Sequence, residues 1–357
     1  MEKMVKMNKD FWKDKKVFIT GNTGFKGSWL ALWLNSMGSN VMGYSDKVYP
    51  DNIHDINKTC ETVIGDIRDF QKLKKAIRKF KPQIVIHLAA QPLVRESYVT
   101  PRETYETNLI GTLNVYEAVL DLESKCFILS ATTDKVYFNR EQLWGYREND
   151  RLGGQDPYSS SKSCVELMSY SYNNSFFNKS IHKLYTARAG NVIGGGDWSK
   201  DRLIPDIIKS CYSSSSMELR NPLATRPWQF VLEPLSGYLS LIERYWDESS
   251  DDFSYNFGPD FEQCLTVKAV AEIVRKYFNI KLSNLVTYEE KIKLHESNLL
   301  FLDCTKSKSD IGWNPILTTE ESLIKTSEWY KCFYEKGNIV KLSLNQISSY
   351  EKKAVIS

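Results

Sequence analysis

The chain has 357 residues, 42% of them hydrophobic, which is enough for one large domain or two modest ones around a sizeable core. A net charge of only +3 argues against a nucleic-acid or anionic-membrane partner, and no apolar window is long enough for a signal peptide or a membrane span. The seven cysteines, at 60, 126, 164, 211, 264, 304 and 332, are odd in number and lack metal-ligand spacing, so we expect reduced thiols, a cytoplasmic protein and no metal site.

The first half alternates short apolar strands with helical patterns. Lys16 to Thr20 reads as a strand, and Leu30, Trp33, Leu34 and Met37 follow at helical spacing up to Gly38. Strands are expected at Asn40–Tyr44 and Thr62–Gly65, then a helix marked by Phe70, Leu73, Ile77 and Phe80. Ile84 to Leu88 is apolar on both faces, as a parallel strand covered by helices should be. Two long helices are expected near 101–121 and 157–176, separated by a strand at Phe127–Leu129, with a sixth strand at Lys183–Ala187. This alternation predicts an α/β fold with a doubly wound parallel sheet.

After about Asn191 the pattern breaks at Gly194–Gly196 and at Pro205, Pro222, Pro227 and Pro234. We read residues 1–190, joined again by 233–258, as one domain. Residues 191–232 and 259–340 form a smaller, partly interleaved lobe, and 341–357 a loose polar tail. The serine run 213–216 reads as an exposed loop.

Gly21-Asn22-Thr23-Gly24-Phe25-Lys26-Gly27 lies between a strand and a helix. Glycines there let a backbone approach a pyrophosphate at the helix N-terminus; outside that context the triplet would be a plain tight turn. Asp46, just after the second strand, can accept from a ribose 2′-hydroxyl, favouring NAD over NADP, or can be a surface charge. Asp66-Ile67 follows the third strand, where the acid can bind an adenine amine or cap a helix with Asp69.

Tyr158 and Lys162 stand one helical turn apart and share a face. An ammonium beside a phenol stabilises phenolate, which can take a proton from a sugar hydroxyl as hydride leaves the same carbon. Ser130-Ala131-Thr132-Thr133-Asp134-Lys135 adds an acid and a candidate base directly after a buried parallel strand, where α/β active sites form. Asp134 and Lys135 would otherwise be an ordinary ion pair at a strand end. A lysine at its reference pKa of about 10.4 is a poor base near neutrality. Lys135 therefore serves as a base only if burial and nearby positive charge depress it; if it stays charged, it stabilises an enolate.

The glycine loop, Asp66, His87-Leu88-Ala89-Ala90, Asn108, Ser130 to Tyr137 and the Tyr158/Lys162 pair together resemble the extended short-chain dehydrogenase/reductase family. Three stretches narrow the resemblance to its nucleotide-sugar 4,6-dehydratases acting on CDP-glucose. They are Phe11-Trp12 with Phe25 to Leu30, Arg188 to Trp198, and Arg226 to Pro234. The match covers about 11–335; Phe230 stands where the resemblance leads us to expect His.

The resemblance implies a Rossmann-type sheet, NAD as cofactor and CDP-glucose as substrate. It also implies oxidation at carbon 4, loss of water across carbons 5 and 6, and return of the hydride to carbon 6. Tyr158 and Lys162 would run the oxidation, Thr133 would bond the 4-oxygen, Asp134 would be the acid at the 6-hydroxyl, and Lys135 stands where dTDP-glucose relatives carry a Glu base. The cofactor set is Gly21, Thr23, Gly24, Phe25, Lys26, Gly27, Asp46, Asp66, Ile67, Leu88, Ala89, Ala90, Asn108 and Ser130, with Tyr158 and Lys162. Arg226 and Asn191 would bind the diphosphate, with Arg202 at the nucleotide end.

Gln91, Arg95 and Thr132 are candidates for the sugar pocket; for Gln91 and Arg95, loop capping is an equal alternative. His87, inside an apolar strand, is read as a core histidine, and Trp198 and Trp228 as packing residues. Relatives dimerise through the two long helices, so a homodimer or dimer of dimers is implied. The apolar stripe Leu109, Leu113 and Tyr116 could as well face the protein's own sheet. Rival readings are a 4,6-dehydratase for another nucleotide sugar, a 4-epimerase, which needs no acid/base pair at 134–135, and a non-catalytic dinucleotide sensor.

Overall fold

Lys16–Thr20 (β1) carries four consecutive buried residues, so both of its faces must be covered, as they are in a helix-flanked parallel sheet. In the computed structural model it lies inside a sheet of seven strands, between Asn40–Ser45 and Ile84–His87. The others are β2 (Asn40–Ser45), β3 (Glu61–Ile64), β4 (Ile84–His87), β5 (Phe127–Ala131), β6 (Lys183–Ala189) and β7 (Ser254–Phe257). Their order is β3-β2-β1-β4-β5-β6-β7, and every pairing is parallel. The order reverses at β1/β4, where the carboxyl ends open a crevice for ligands. The structure describes residues 7–213, 217–219, 221–248, 250, 252–280, 285–287 and 299–356. Of the serine run, only Ser213, the last residue of the helix Leu203–Ser213, lies within them.

Helices cover both faces. The glycine loop feeds α1 (Phe25–Ser36), and Asp69 caps α2 (Phe70–Phe80) by accepting from the Lys72 amide. α2 buries the stripe Leu73 and Ile77 that its spacing predicts. The long helix expected near 101–121 is made of Pro101–Tyr105, a π-turn at Glu106–Ile110, and α3 (Gly111–Leu120). Asp156 caps α4 (Pro157–Ser175), with Pro157 at its first position. α4 turns a largely polar stripe inward, including Ser159, Lys162, Ser163, Glu166 and Ser169.

Beyond β6 the chain leaves the sheet and returns to it through α5 (Leu232–Tyr245) and β7. α6 (Val267–Tyr277) and α7 (Thr319–Tyr334) build the smaller lobe. Gly195 lies against Trp329, where a Cβ would sit 1.9 Å from the indole Cγ, and its carbonyl accepts from Trp29 Nε1 at 2.9 Å. That contact ties the lobe to α1.

The expected loose tail is instead helical. Residues Ile339–Ile356 form α8, which buries Ile347, Tyr350 and Ala354 at three- and four-residue spacing. Tyr350 meets Trp33 edge-on at 5.9 Å, and Trp33 Nε1 donates to Glu351 at 2.9 Å. The polar composition of 341–357 belongs to the solvent side of an amphipathic helix. Among the described residues, no helix is long and apolar enough to cross a membrane.

Candidate active site

The glycine loop is tight by necessity. Gly21 has φ +74°, and a Cβ there would lie 2.8 Å from the Ala89 amide nitrogen; at Gly27 it would lie 2.1 Å from the Gly21 carbonyl oxygen. At Gly24 the same test meets only the Gly21 oxygen, at 3.4 Å, so the outer face is open. Gly24 also leaves the first turn of α1 without a side-chain cap. An open cradle at an uncapped helix N-terminus suits a pyrophosphate, so these residues fit a dinucleotide.

Thr23 is buried, its hydroxyl 2.7 Å from Ser45 Oγ and 2.6 Å from the Lys47 carbonyl oxygen, so it shapes the loop. Asp46 lies exposed at the end of β2, near Tyr49. Asp66 accepts from the Arg68 guanidinium at 2.6 Å and from its amide at 2.8 Å, and these bonds hold its carboxyl below the usual range. Ile67 packs against Gly111.

At the tip of β4, the Leu88 and Ala89 amides both donate to Thr20 Oγ1, and Ala90 follows them. Asn108 donates to Ser161 Oγ at 2.9 Å and to the Gln91 carbonyl, and accepts from the Gln91 amide, so it staples this tip to α4. Ser130 is fully buried near the end of β5.

The catalytic candidates converge where β5 ends. The chain turns at Asp134–Val136, placing Thr133 Oγ1 2.9 Å from Asp134 Oδ1 and Lys135 Nζ 3.2 Å from the same oxygen. Asp134 is almost wholly buried, whereas Lys135 is about one-third exposed. Tyr158 reaches Thr133 from α4. Burial pushes its phenol up to about 12, against the pull of the Thr133 hydrogen bond and the Arg202 charge. Lys162 donates to the Ala131 carbonyl at 3.2 Å, and burial, with the Lys26 charge, brings its ammonium down to about 8. Lys26 is likewise lowered to about 8, by burial and then by Arg202. His87 is a core residue: its two ring nitrogens meet Thr20 and Thr112 at 2.6 and 2.9 Å, and burial drops it to about 3.

Apart from Lys162 and His87, which do not line it, these groups open on one cleft of about 830 Å³. Phe25, Lys26, Thr133, Asp134, Lys135 and Tyr158 line part of it. Asn191, Arg202 and Arg226 line the remainder, together with Arg95, which faces Asp201 at 3.9 Å. Thr132 borders the cleft, but its hydroxyl turns inward to Glu166. Gln91 is spent on its own loop, bonding Thr104 at 2.9 Å and the Leu93 backbone.

Tyr98, Lys200, Asn221 and Val267 also line the cleft and were not anticipated. They come from separate loops and element ends, with no shared sequence pattern. Trp198 packs in an aromatic cluster with Tyr330, Phe333 and Tyr334, while Trp228 borders the cleft.

A family model described as GDP-mannose 4,6 dehydratase matches residues 18–326. The chain belongs to this family. It is 45% identical over 355 residues to a CDP-glucose 4,6-dehydratase of Salmonella typhimurium, covering 96% of this chain and 98% of that one. A CDP-paratose 2-epimerase of Salmonella typhi is 25% identical over 342 residues, covering 88% of this chain and 98% of the relative. The structure of a dTDP-glucose 4,6-dehydratase from Bacillus anthracis in complex with NAD superposes with a TM-score of 0.76 at 21% identity, covering 91% of this chain and 99% of that one. A UDP-glucose 4-epimerase from Thermotoga maritima superposes with 0.77 at 20%, covering 90% and 99%. Dehydratases and epimerases of nucleotide sugars thus share this fold, and membership in the dehydratase family agrees with the Asp134–Lys135 pair in the cleft.

Proposed function

We propose that the chain is a 4,6-dehydratase that converts CDP-D-glucose to CDP-4-dehydro-6-deoxy-D-glucose and water. The observation that carries this reading is the buried Asp134 carboxyl, paired with Lys135 and joined through Thr133 to Tyr158 in one cleft. An epimerase needs the tyrosine but not the acid. The 45% identity to a CDP-glucose 4,6-dehydratase supports the choice of nucleotide.

NAD, held at the glycine loop, would supply a hydride acceptor for carbon 4 and a hydride donor for carbon 6. Asp46 and Asp66 are assigned to its ribose and adenine. Tyr158 takes the 4-hydroxyl proton, and the Lys162 ammonium, one turn along α4, stabilises the phenolate. Thr133 orients the 4-oxygen. The new ketone acidifies the proton on carbon 5. With the shared proton of the Asp134–Lys135 pair moved onto the carboxyl, the freed Lys135 amine takes the carbon-5 proton and Asp134 gives its own to the departing 6-hydroxyl, so the pair ends as it began. Asn191, Arg202 and Arg226 hold the diphosphate end, and Arg95 the sugar side.

Residues 1–190 with 233–258 are assigned to the cofactor, and the remaining lobe to the nucleotide sugar. Ile110, Leu167 and Tyr170, 45, 58 and 63% exposed on the two long helices, support a homodimer through that face. The seven free cysteines fit a reducing cytoplasm.

Proton NMR of the purified protein with NAD and, separately, CDP-glucose, dTDP-glucose, UDP-glucose and GDP-mannose tests the reading. A new methyl doublet with CDP-glucose alone is the expected result. A methyl doublet with another donor would overturn the nucleotide. Galactose signals growing from a glucose donor would establish an epimerase, and silence throughout would point to a dinucleotide sensor.

A further inference from the structure

Tyr158 and Lys162 continue, one more turn along α4, into Glu166, so the three side chains stand at i, i+4 and i+8 on one face. Glu166 is 1% exposed and forms a buried ion pair with Arg188 of β6, at 2.8 Å. Its Oε2 also accepts from the Thr186 hydroxyl at 2.9 Å and the Ser254 hydroxyl at 3.3 Å. Its Oε1 accepts from the Thr132 hydroxyl, and the Thr132 amide donates to the Ala187 carbonyl at 2.8 Å. Arg188 reaches on to the Tyr137 hydroxyl at 2.8 Å and the Glu148 carbonyl at 2.9 Å, and Tyr137 donates to Asn256 at 2.7 Å. Both ends of the Thr132–Tyr137 turn, which carries Thr133, Asp134 and Lys135, are thus moored to one carboxylate–guanidinium pair behind the cleft.

We propose that Glu166 is a positioning residue of the dehydratase site, fixing the Thr132–Asp134 turn through the Thr132 hydroxyl and balancing the charge of Lys162. The proposal rests on the dehydratase reading for what the turn does, but its electrostatic half does not. A buried ion pair is weak evidence for stability, because desolvation offsets the Coulomb attraction, so a functional account of this one is called for.

Three features set the charge balance. Burial pushes the Glu166 carboxyl up, but Arg188, Thr132 and Thr186 more than offset this, so it stays ionised. Its negative charge raises the proton affinity of Lys162, against burial and the Lys26 ammonium, which lower it. The other titratable groups near the pair are His87 on β4 beside Lys162, Tyr116 on α3 beside Glu166, and Tyr137 and Glu148, on the loops after β5, beside Arg188, with Asp134 on the turn and Tyr238 on α5 near Tyr158. Among these His87 stays neutral, the tyrosines are held as phenols by burial, and the buried Asp134 is paired with Lys135, so Glu166 is the carboxylate whose charge acts on Lys162.

Two full-length variants separate the roles. E166Q removes the charge, and an amide can still accept from Arg188 and Thr186. T132V removes the mooring hydroxyl and leaves the ion pair intact. The first readout needs neither NAD nor sugar: the 13C signal of Lys162 Cε in lysine-labelled protein, assigned by its loss in K162M, followed against pH. Its midpoint, near about 8 in the parent, should fall by roughly half to one pH unit in E166Q and stay in place in T132V. The second readout is turnover of CDP-glucose, where T132V should lose about tenfold or more in kcat with KM within about twofold, and T132S should restore it.

An unchanged Lys162 midpoint in E166Q, or parent-like turnover by T132V, would overturn the proposal. Should E166Q fail to fold, the T132V and T132S pair still decides the positioning role. Parent protein that turns over no nucleotide sugar would sink the dehydratase reading, while the Lys162 titration would still decide the role of Glu166.

Discussion

Asp134 can be displaced without altering its chemistry, by adding one methyl group at Gly190. A Cβ built there lies 2.8 Å from Asp134 Oδ2 and 3.3 Å from its Cγ, with Pro227 Cγ at 3.4 Å on another side. Ordinary contact begins at 3.4 Å, so in Gly190→Ala the carboxylate must retreat by about 0.6 Å. It is not free to do so at no cost, because Thr133 Oγ1 and Lys135 Nζ hold its other oxygen at 2.9 and 3.2 Å. Displacing a catalytic group by about 1 Å costs on the order of 10²-fold in rate, so a shift of this size should cost about tenfold or more in the dehydration step. Tenfold corresponds to about 1.4 kcal/mol of barrier.

The assay follows two signals in one reaction: the near-ultraviolet absorbance of reduced nicotinamide, which reports the oxidation at carbon 4, and the methyl doublet of the product. Oxidation should stay within about twofold of the parent while methyl formation falls about tenfold, so that reduced cofactor builds up. Undiminished methyl formation would refute Asp134 as the positioned acid. Equal loss of both signals would show that the methyl group damages binding or folding instead.

Other outcomes follow from the same structure. Tyr158→Phe should abolish the oxidation, with a loss of about 10²- to 10⁴-fold in reduced-nicotinamide formation and nucleotide-sugar binding largely retained by calorimetry. Glu233→Gln should stabilise the protein in a pH-dependent way. Burial raises the Glu233 carboxyl to about 7, above an unfolded value near 4.3, so the native state binds the extra proton and the parent loses stability as pH rises between the two. The advantage of the variant over the parent, measured by urea unfolding, should grow through that window and level off above about 7; a constant offset would refute it. Trp313→Ala should cost about 3–5 kcal/mol in the same assay. The ring is fully buried, edge-on to Phe257 at 5.1 Å, with Nε1 donating to the Glu233 carbonyl at 3.1 Å.

The strands were legible because parallel strands covered on both faces must be continuously apolar, and Ile84–His87 and Phe127–Ala131 are buried throughout. α4 was legible for a different reason. Its inward stripe is polar, so hydrophobic periodicity alone would have turned it the wrong way; the Tyr158/Lys162 spacing located it instead. Thr132 was placed toward the sugar, but successive residues of an extended chain face opposite sides, and its hydroxyl goes to Glu166 while Thr133 meets Asp134. The Glu166–Arg188 pair joins a helix to a strand 22 residues on, and no local spacing announces such a contact. α8 was hidden because its buried apolar positions, Ile339, Ile347, Tyr350 and Ala354, are interspersed with lysines, serines and exposed apolar residues such as Leu344 and Val355, which blurs the stripe.

The docking of α8 on α1 sets an order of events during translation. Trp33 and Glu351 are 318 positions apart, so at bacterial-like elongation rates of about 5–20 residues per second the indole waits roughly 15–60 s for its partner to leave the ribosome. Throughout that interval the helix behind the glycine loop lacks its outer cover. A nascent chain halted before α8 should therefore hold Trp33 in contact with solvent or a chaperone, even with β1 to β6 already synthesised. The helix that follows the glycine loop gains this cover only after Glu351 of α8, 318 positions downstream of Trp33, has been made.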